Sequence, residues 1–106
     1  MEVVAVLGAS SDSSRYSNKA LRMLKEYGHQ TVSIHPRETE ILGEKVYTDV
    51  GALNKEGKKV DTLTMYVNPA ISSKFEKEIL ALAPKRVIFN PGSENPALEK
   101  VLEENG

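Results

Sequence analysis

The stretch VVAVLGASSDSSR (Val3–Arg15) decides the fold class of this sequence. It begins with a continuous, valine-rich apolar run that stops at Gly8, and such runs are typical of strands buried on both faces of a parallel sheet. A serine-rich loop follows. Apolar residues then recur at helical spacing, at Ala20, Leu21, Leu24 and Tyr27, up to a helix stop at Gly28. This order of strand, loop and helix predicts the first unit of a Rossmann-like fold.

The remainder of the chain continues the alternation. Further strands are predicted at Thr31–Ile34, within Val60–Val67 and at Arg86–Phe89. Two Asn-Pro dipeptides, at residues 68–69 and 95–96, combine an N-cap with a proline at the first helical position, so each predicts the start of a helix. The last helix is expected to end at Asn105-Gly106.

The segment Arg37–Lys59 is less regular. Val46-Tyr47 suggests a short extended piece, and Thr48 or Asp49 is suited to cap a short helix that ends at Leu53. With the regular elements on either side, the chain predicts one α/β domain over residues 1–106. Alternating strands and helices favour a three-layer Rossmann-like fold with a parallel sheet, strand order 3-2-1-4, and helices on both faces.

Composition excludes several classes of function. The chain has a formal net charge of −1 and no run of basic residues, so binding to nucleic acid through bulk charge is not expected. It has no cysteine, which excludes disulfides, thiolate metal sites and cysteine nucleophiles. No apolar run approaches the length of a membrane span, and the N-terminus lacks the pattern of a signal peptide. We therefore expect a cytoplasmic protein that does not bind membranes.

In such a sheet, ligands bind beyond the carboxyl ends of the strands, at the point where the strand order reverses. Each predicted strand ends in residues that are suited to hold a ligand. They are Gly8, His35-Pro36-Arg37, Asn68-Pro69 and Asn90-Pro91-Gly92.

The loop after the first strand has the context of a phosphate-binding turn but not its glycines. In place of GxGxxG, Ser10 and Ser13 occupy the positions of the second and third glycines. A side chain at Ser10 hinders the closest approach of backbone to a pyrophosphate, whereas serine hydroxyls can donate hydrogen bonds to phosphate oxygens. The alternative interpretation is a serine-rich loop that caps the helix and needs no ligand.

The end of the second strand carries a cation where a classical NAD site has an acid. Arg37 suits a phosphorylated ribose, as in NADP or in the 3′-phospho-ADP of coenzyme A. Arg15 and Arg37 are predicted to converge on one phosphate, since planar guanidinium groups favour bidentate contact. The alternative is that Arg37 is a solvated surface arginine.

The sequence resembles a known family, the small single-domain CoA-binding proteins, which are related to the CoA-binding domain of the succinyl-CoA synthetase α subunit. The resemblance covers nearly the whole chain, and its most specific parts are GAS-x₄-R-x-S, ILGEKVY and PGSENPAL. The matching stretches are VAVLGASSDSSRYSNKAL (Val4–Leu21), HPRETEILGEKVYTDV (His35–Val50), YVNPAISSK (Tyr66–Lys74) and FNPGSENPALEKVLEENG (Phe89–Gly106).

The resemblance implies that coenzyme A binds across the carboxyl edge of the sheet. Gly8, Ala9 and Ser10 would meet the pyrophosphate, with Arg15 near the phosphates. His35, Pro36 and Arg37 would face the 3′-phosphoadenosine end. Asn68 and Pro69 would border the adenine side, and Asn90, Pro91 and Gly92 the pantetheine side.

The chain departs from the family pattern at two points. His35 replaces the asparagine expected before Pro-Arg. The given sequence also stops at Gly106, where relatives continue into a fifth strand, so one sheet edge is expected to be open or covered by a partner chain, including a second copy.

No catalytic or metal-binding set is evident in the sequence. His35 is the only histidine near the predicted cleft, and no serine has an identifiable base. We therefore expect a non-catalytic module that binds coenzyme A or an acyl-CoA as a carrier, sensor or regulatory subunit. Two alternatives are an NAD(P)-binding, oxidoreductase-like protein and an interaction protein that has lost its pocket. The acidic residues Asp12, Asp49, Asp61 and Glu94 show no metal-ligand spacing.

Overall fold

Six strands form one sheet in the computed structural model, which describes residues 1–104. All of them run parallel to their neighbours except the third, which is antiparallel to the fourth. The α/β class predicted from the sequence is thereby confirmed. The strands are β1 (Val3–Leu7), β2 (Gln30–Ile34), β3 (Glu40–Ile41), β4 (Glu44–Tyr47), β5 (Thr62–Met65) and β6 (Arg86–Phe89).

The predicted strand order, 3-2-1-4, is wrong for the four strands that the sequence indicated. The sheet has the order β3-β4-β2-β1-β5-β6, so the predicted third strand, β5, pairs with β1, and the predicted fourth strand, β6, pairs with β5. The place beside β2 belongs to β4, which comes from the irregular segment. The strand order therefore reverses between β1 and β5, and a ligand site is expected there.

The sequence indicated β4 only as a short extended piece at Val46-Tyr47, and not as a strand of the sheet, because its pairing is brief. It aligns with β2 at only two residue pairs, Ser33↔Val46 and Ile34↔Tyr47, and such a short contact leaves little apolar pattern. The hairpin that joins β3 to β4 turns at Leu42-Gly43, where both residues have positive φ, 51° and 78°. Two successive residues with positive φ are the signature of a type I′ hairpin turn.

The helices follow the predicted alternation. Asp49, Asn68 and Asn95 each accept a hydrogen bond from a backbone N–H three residues later, which confirms the caps read from the sequence. The helix predicted after Asn68 is divided into two helices joined by a 3₁₀ turn at Ser73–Phe75. The helix end predicted at Asn105-Gly106 lies outside the described residues. The helices are α1 (Tyr16–Glu26), α2 (Val50–Lys55), α3 (Pro69–Ser72), α4 (Glu76–Leu82) and α5 (Pro96–Glu104).

Apolar residues pack on both faces of the sheet. On one face Ala5 and Leu7 of β1 join a core with residues of α2, α4 and α5. On the other face Val6 packs with Leu21 of α1 and with the β3–β4 hairpin. Because alternate residues of β1 enter separate cores, β1 is buried on both sides, as its continuous apolar run predicts.

The strand β6 lies at one edge of the sheet and pairs, within residues 1–104, only with β5. Arg86 and Ile88 on this strand are exposed. The sequence indicated four strands and a missing fifth. With β4 counted, the parallel part of the sheet already has five strands. No helix in the described part of the chain has both the length and the apolar character needed to cross a membrane.

Candidate functional site

A cleft of about 230 Å³ opens where the carboxyl ends of β1 and β5 meet the start of α1. It lies at the reversal of strand order, where ligands bind in open α/β sheets. Five residues predicted from the sequence line it, namely Gly8, Arg15, Asn68, Pro91 and Gly92. Five others were not predicted, namely Tyr16, Ser17, Tyr66, Val67 and Ser93. Loops that are distant in sequence thus converge on one cleft.

Gly8 forms the floor of this cleft, and no other residue fits its place. Its φ is +90°, and a Cβ atom there would lie 2.9 Å from the carbonyl oxygen of Tyr66 and 2.9 Å from Cγ1 of Val67. The backbone N–H groups of Gly8 and Ala9 both donate to the carbonyl of Ile34, at 3.0 and 3.2 Å. The turn after β1 is therefore held against the ends of β2 and β5. Ala9 is fully buried and its N–H is bound to Ile34, so this residue supports the turn and offers a ligand no free donor.

Several backbone donors of the serine-rich loop already have acceptors, one of which comes from outside the loop. The N–H of Ser11 donates to both carboxylate oxygens of Glu38, at 3.2 and 2.9 Å. The N–H of Asp12 donates to Oγ of Ser10 at 3.0 Å. The N–H and hydroxyl of Ser14 both donate to Oδ1 of Asp12, at 2.9 and 2.7 Å. A phosphate that binds to these donors must therefore replace the oxygens that they now contact.

Two carboxylates thus lie among the donors of the loop. The Ser14 hydroxyl and, next, its backbone N–H hold the pKa of Asp12 below its ordinary value. Hydrogen bonding from Ser11, by its side chain first, similarly keeps the pKa of Glu38 low, although partial burial opposes this effect. Both groups are consequently ionised at neutral pH, which makes the loop less positive than a typical phosphate site.

Two side chains of α1 that the sequence analysis missed fix the path of the loop. Nδ2 of the buried Asn18 donates to the carbonyl of Ser10 at 2.8 Å. Nε of Arg22 donates to Oδ1 of Asn18 at 2.9 Å, and its Nη2 donates to the carbonyl of Ser13 at 2.9 Å. The spacing of Asn18 and Arg22 by four residues, which places them on one helix face, is the signal that could have found them.

The His35-Pro36-Arg37 segment forms a turn at the end of β2. Nδ1 of His35 accepts hydrogen bonds from the backbone N–H groups of Arg37 and Glu38, at 3.1 and 3.2 Å. Pro36 and Arg37 are exposed. Within residues 1–104 the Arg37 guanidinium makes no ion pair. This turn is linked to the serine-rich loop through Glu38, whereas no contact joins Arg37 to Arg15.

The remaining predicted residues have structural partners. Oδ1 of Asn68 accepts from the N–H of Ile71 and caps α3. Nδ2 of Asn90 donates to Oγ1 of Thr64 at 2.7 Å and to the carbonyl of Met65 at 2.8 Å, which ties the end of β6 to β5. Each side chain uses only one of its two polar groups in these bonds, so Nδ2 of Asn68 and Oδ1 of Asn90 can still meet a ligand without breaking them.

The PGSENPAL segment is held by one buried asparagine. Nδ2 of Asn95 donates to the hydroxyls of Ser72 and Ser73, at 2.9 and 3.0 Å, and to the carbonyl of Pro69 at 3.3 Å. The exposed Pro69 is the first residue of α3 and does not line the cleft. Asn95 therefore joins the start of α5 to α3 and fixes the wall that carries Gly92, whose φ is +88°.

Within the described residues, no three histidine, cysteine or acidic side chains are grouped so that they could hold a metal ion. The site consists instead of a cleft, a polar loop and two exposed arginines, Arg15 and Arg37. Guanidinium groups, backbone N–H groups and hydroxyls are ligands for phosphate. The arrangement suits a ligand with more than one phosphate that spans the distance from the cleft to the turn after β2.

The sequence matches a family model, described as the CoA binding domain, over residues 2–106. No curated protein matches the sequence significantly. Solved structures do match. One, of an uncharacterised protein, is 38% identical with a TM-score of 0.87, and the match covers 100% of this chain and 84% of the other. Another, from Thermus thermophilus, is 33% identical with a TM-score of 0.90, over 99% of this chain and 78% of the other.

A larger protein contains a similar domain. The dinucleotide-forming acetyl-coenzyme A synthetase 1 of Ca. Korarchaeum cryptofilum, solved in complex with phosphate and ADP, is 27% identical with a TM-score of 0.75. The match covers 98% of this chain and 23% of that protein. The fold of this chain therefore occurs both in small proteins and as one part of a larger synthetase.

Proposed function

We propose that this chain, which belongs to the CoA-binding domain family, binds coenzyme A or an acyl-CoA at the carboxyl edge of its sheet. The observation that carries the proposal is the cleft between β1 and β5, where Gly8, Arg15, Asn68 and Gly92 come together. In an open α/β sheet this reversal of strand order is the expected position of a nucleotide.

The proposed pose follows the order of the loops. The pyrophosphate lies against the turn Gly8-Ala9-Ser10, in which Ala9 is buried, with Arg15 beside it. The 3′-phosphoadenosine end lies toward His35, Pro36 and Arg37. The exposed guanidinium of Arg37, without an ion pair among residues 1–104, is available to the 3′-phosphate.

The other strand ends form the walls of the site. Asn68 and Pro69 border the adenine side, and Asn90, Pro91 and Gly92 border the pantetheine side. Oδ1 of Asn68 and Nδ2 of Asn90 are engaged in structural hydrogen bonds, so these walls offer a ligand their shape, the amide nitrogen of Asn68 and the amide oxygen of Asn90.

We propose a non-catalytic role in the cytoplasm, as a carrier, sensor or regulatory subunit. In support, each histidine uses Nδ1 to accept backbone N–H groups, His29 from Glu2 and His35 from Arg37 and Glu38. The hydroxyls of Ser10 and Ser14 are engaged with Asp12. A serine nucleophile needs a base within hydrogen-bond reach. Among these contacts only Ser14 has one, the Asp12 carboxylate, and no histidine lies beside either serine.

Amide chemical-shift mapping tests the position of the ligand. Titration of ¹⁵N-labelled protein with coenzyme A is expected to move the signals of Gly8, Ser11, Arg15 and Gly92 most. Shifts concentrated elsewhere, for example around the groove formed by Ile79, Val87 and Leu102 between α4 and α5, would contradict the proposed site.

NADP is the second candidate ligand, because Arg37 also suits a 2′-phosphate on ribose. The serine at position 10, in place of the second glycine of the dinucleotide fingerprint, favours coenzyme A. Titrations with NADP and NAD, run beside that with coenzyme A, decide between coenzyme A and NADP as the ligand. Tighter binding of NADP than of coenzyme A would reassign the site.

A protein partner at the edge of the sheet is a further candidate. The outer side of β6 is unpaired within residues 1–104, and the side chain of Ile88 is 41% exposed there. An open edge strand can pair with another chain, including a second copy. Sedimentation over a range of concentrations tests this proposal, and a strict monomer would count against a homodimer.

A further inference from the structure

The carboxylate of Glu38 occupies a backbone donor of the candidate phosphate loop. Both of its oxygens accept from the N–H of Ser11, although 27 residues separate the two in sequence. Ser11 lies between Gly8 and the start of α1, in the part of the loop where a Rossmann-like fold presents backbone N–H groups to phosphate. An anion supplied by the protein itself is therefore already bound to this donor.

The turn after β2 holds Glu38 in this position. The backbone N–H of Glu38 donates to Nδ1 of His35, and the neighbouring N–H of Arg37 donates to the same atom. The backbone N–H of His35 in turn donates to the carbonyl of Tyr47 at 2.9 Å. The carboxylate is thus presented by an ordered turn, and it is only partly exposed.

A phosphate cannot share the Ser11 donor with this carboxylate. Both groups are anions that need the same N–H, and like charges at hydrogen-bond separation repel each other. A diphosphate that reaches the loop must therefore displace the Glu38 carboxylate, which breaks the link between the loop and the turn that carries Arg37.

We infer that Glu38 is an internal competitor that lowers the affinity of the loop for phosphate-bearing ligands, so that their binding breaks the contact between the loop and the turn at residues 35–38. The inference rests on the proposed function, since it takes the loop as the pyrophosphate site. It assigns to Glu38 the regulation of that site. An apparent dissociation constant rises about tenfold when a competing contact occupies nine-tenths of the molecules.

The test compares Glu38→Gln and Glu38→Ala with the wild type, using coenzyme A and inorganic pyrophosphate as separate probes in isothermal titration. The first variant removes the charge, and the second removes the whole contact. Glu40→Gln is the matched control, because Glu40 is an exposed acid two residues away that makes no side-chain hydrogen bond with another described residue. Circular dichroism checks that all variants fold.

We expect both Glu38 variants to bind pyrophosphate and coenzyme A about tenfold more tightly, and Glu40→Gln to bind them like the wild type. In the free protein the amide signal of Ser11 moves in both Glu38 variants. Unchanged or weaker binding of pyrophosphate by both Glu38 variants overturns the inference, and weaker binding of coenzyme A would instead indicate that Glu38 contacts the ligand.

The two probes separate this inference from the proposed function. If the Glu38 variants gain affinity for pyrophosphate while no form binds coenzyme A, the competitor is supported and the coenzyme A assignment fails. If the wild type binds coenzyme A and the Glu38 variants bind both probes no more tightly than it does, the assignment stands and the competitor is overturned.

Discussion

Gly8 and the carbonyl of Tyr66 approach so closely that a Cβ atom on Gly8 would lie 2.9 Å from the carbonyl oxygen. The contact joins the turn after β1 to the end of β5, the two strands on either side of the candidate cleft. We predict that Gly8→Ala lowers the free energy of unfolding by roughly 2–5 kcal/mol, as the sum of a positive-φ cost and a steric clash. Urea denaturation measures this loss.

Gly28→Ala is the control for backbone conformation. Gly28 has a similar φ, +82°, but a Cβ atom added there would meet no heavy atom within 4 Å. The Gly28→Ala variant is expected to lose only about 1–2 kcal/mol in free energy of unfolding. Equal losses for the two variants would show that the approach of Gly8 to Tyr66 carries no steric cost.

The amide of Asn18 supports the loop, so its removal is predicted to affect both stability and binding. Asn18→Ala leaves the carbonyl of Ser10 without its donor, and we expect a loss of about 1–3 kcal/mol in unfolding free energy. We also expect weaker binding of coenzyme A, because the loop is no longer held.

Asn54→Ala is the matched control. Nδ2 of Asn54 also donates to a backbone carbonyl, that of Glu78 at 3.0 Å, but away from the cleft. It is expected to destabilise the protein to a similar extent and to leave the dissociation constant of coenzyme A unchanged. A parallel loss of affinity in both variants would attribute the effect of Asn18→Ala to stability alone.

The sequence predicted that the two exposed arginines converge on one phosphate. In the structure only Arg15 lines the cleft, and Arg37 lies on the turn after β2, so we now assign them to different phosphates. Arg37→Ala should weaken the binding of coenzyme A about tenfold, or by about 1.4 kcal/mol. It should hardly change the binding of 3′-dephospho-CoA. Arg15→Ala should weaken the binding of both ligands to the same extent, because Arg15 is assigned to the pyrophosphate, which both ligands contain. Lys100→Ala, on the exposed side of α5, controls for the loss of one positive charge. An equal loss of affinity for both ligands in Arg37→Ala would refute the assignment of Arg37 to the 3′-phosphate.

Stability is predicted to fall at acid pH partly because of Asp61. Its Oδ2 accepts from the backbone N–H of Val3 at 2.8 Å, and this bond, aided by the charge of Lys85, lowers the pKa of Asp61 from its ordinary value of 3.8. The folded state therefore binds this proton less tightly than the unfolded state. The stabilisation that ionised Asp61 gives the folded state is complete above its pKa in the unfolded state. It is lost as the pH falls through its lower pKa in the folded state.

Asp61→Asn keeps an oxygen acceptor but cannot titrate. We expect its free energy of unfolding to fall less than that of the wild type between about pH 5 and pH 3, as measured by urea denaturation at several pH values. Glu26→Gln is the control, because Glu26 is exposed and its side chain makes no described hydrogen bond. Identical pH profiles for Asp61→Asn and the wild type would rule out a contribution from Asp61.

The sequence predicts the fold class well because strands buried on both faces leave a continuous apolar run, as β1 does. It does not predict the order of the strands, since β4 pairs with β2 through only two residue pairs and has no apolar pattern of its own. Once β4 takes the place beside β2, the strand within Val60–Val67 moves to the other side of β1.

Some residues of the candidate site could likewise be predicted from the sequence, and others could not. Gly8, Arg15 and Gly92 could be predicted because the carboxyl ends of parallel strands meet at one edge of the sheet. Glu38 could not, because its contact with Ser11 depends on how two separate turns meet, and no local pattern reports such a contact. Asn90 was predicted as a ligand contact, whereas its amide donates to Thr64 and Met65.

The most direct test of the central claim is isothermal titration of the wild-type protein with coenzyme A, with 3′-dephospho-CoA and NADP as comparisons. We expect one site with a dissociation constant of about 1 μM or tighter for coenzyme A, which corresponds to about −8 kcal/mol, and weaker binding of both comparison ligands. No binding of coenzyme A, or tighter binding of NADP, would contradict it.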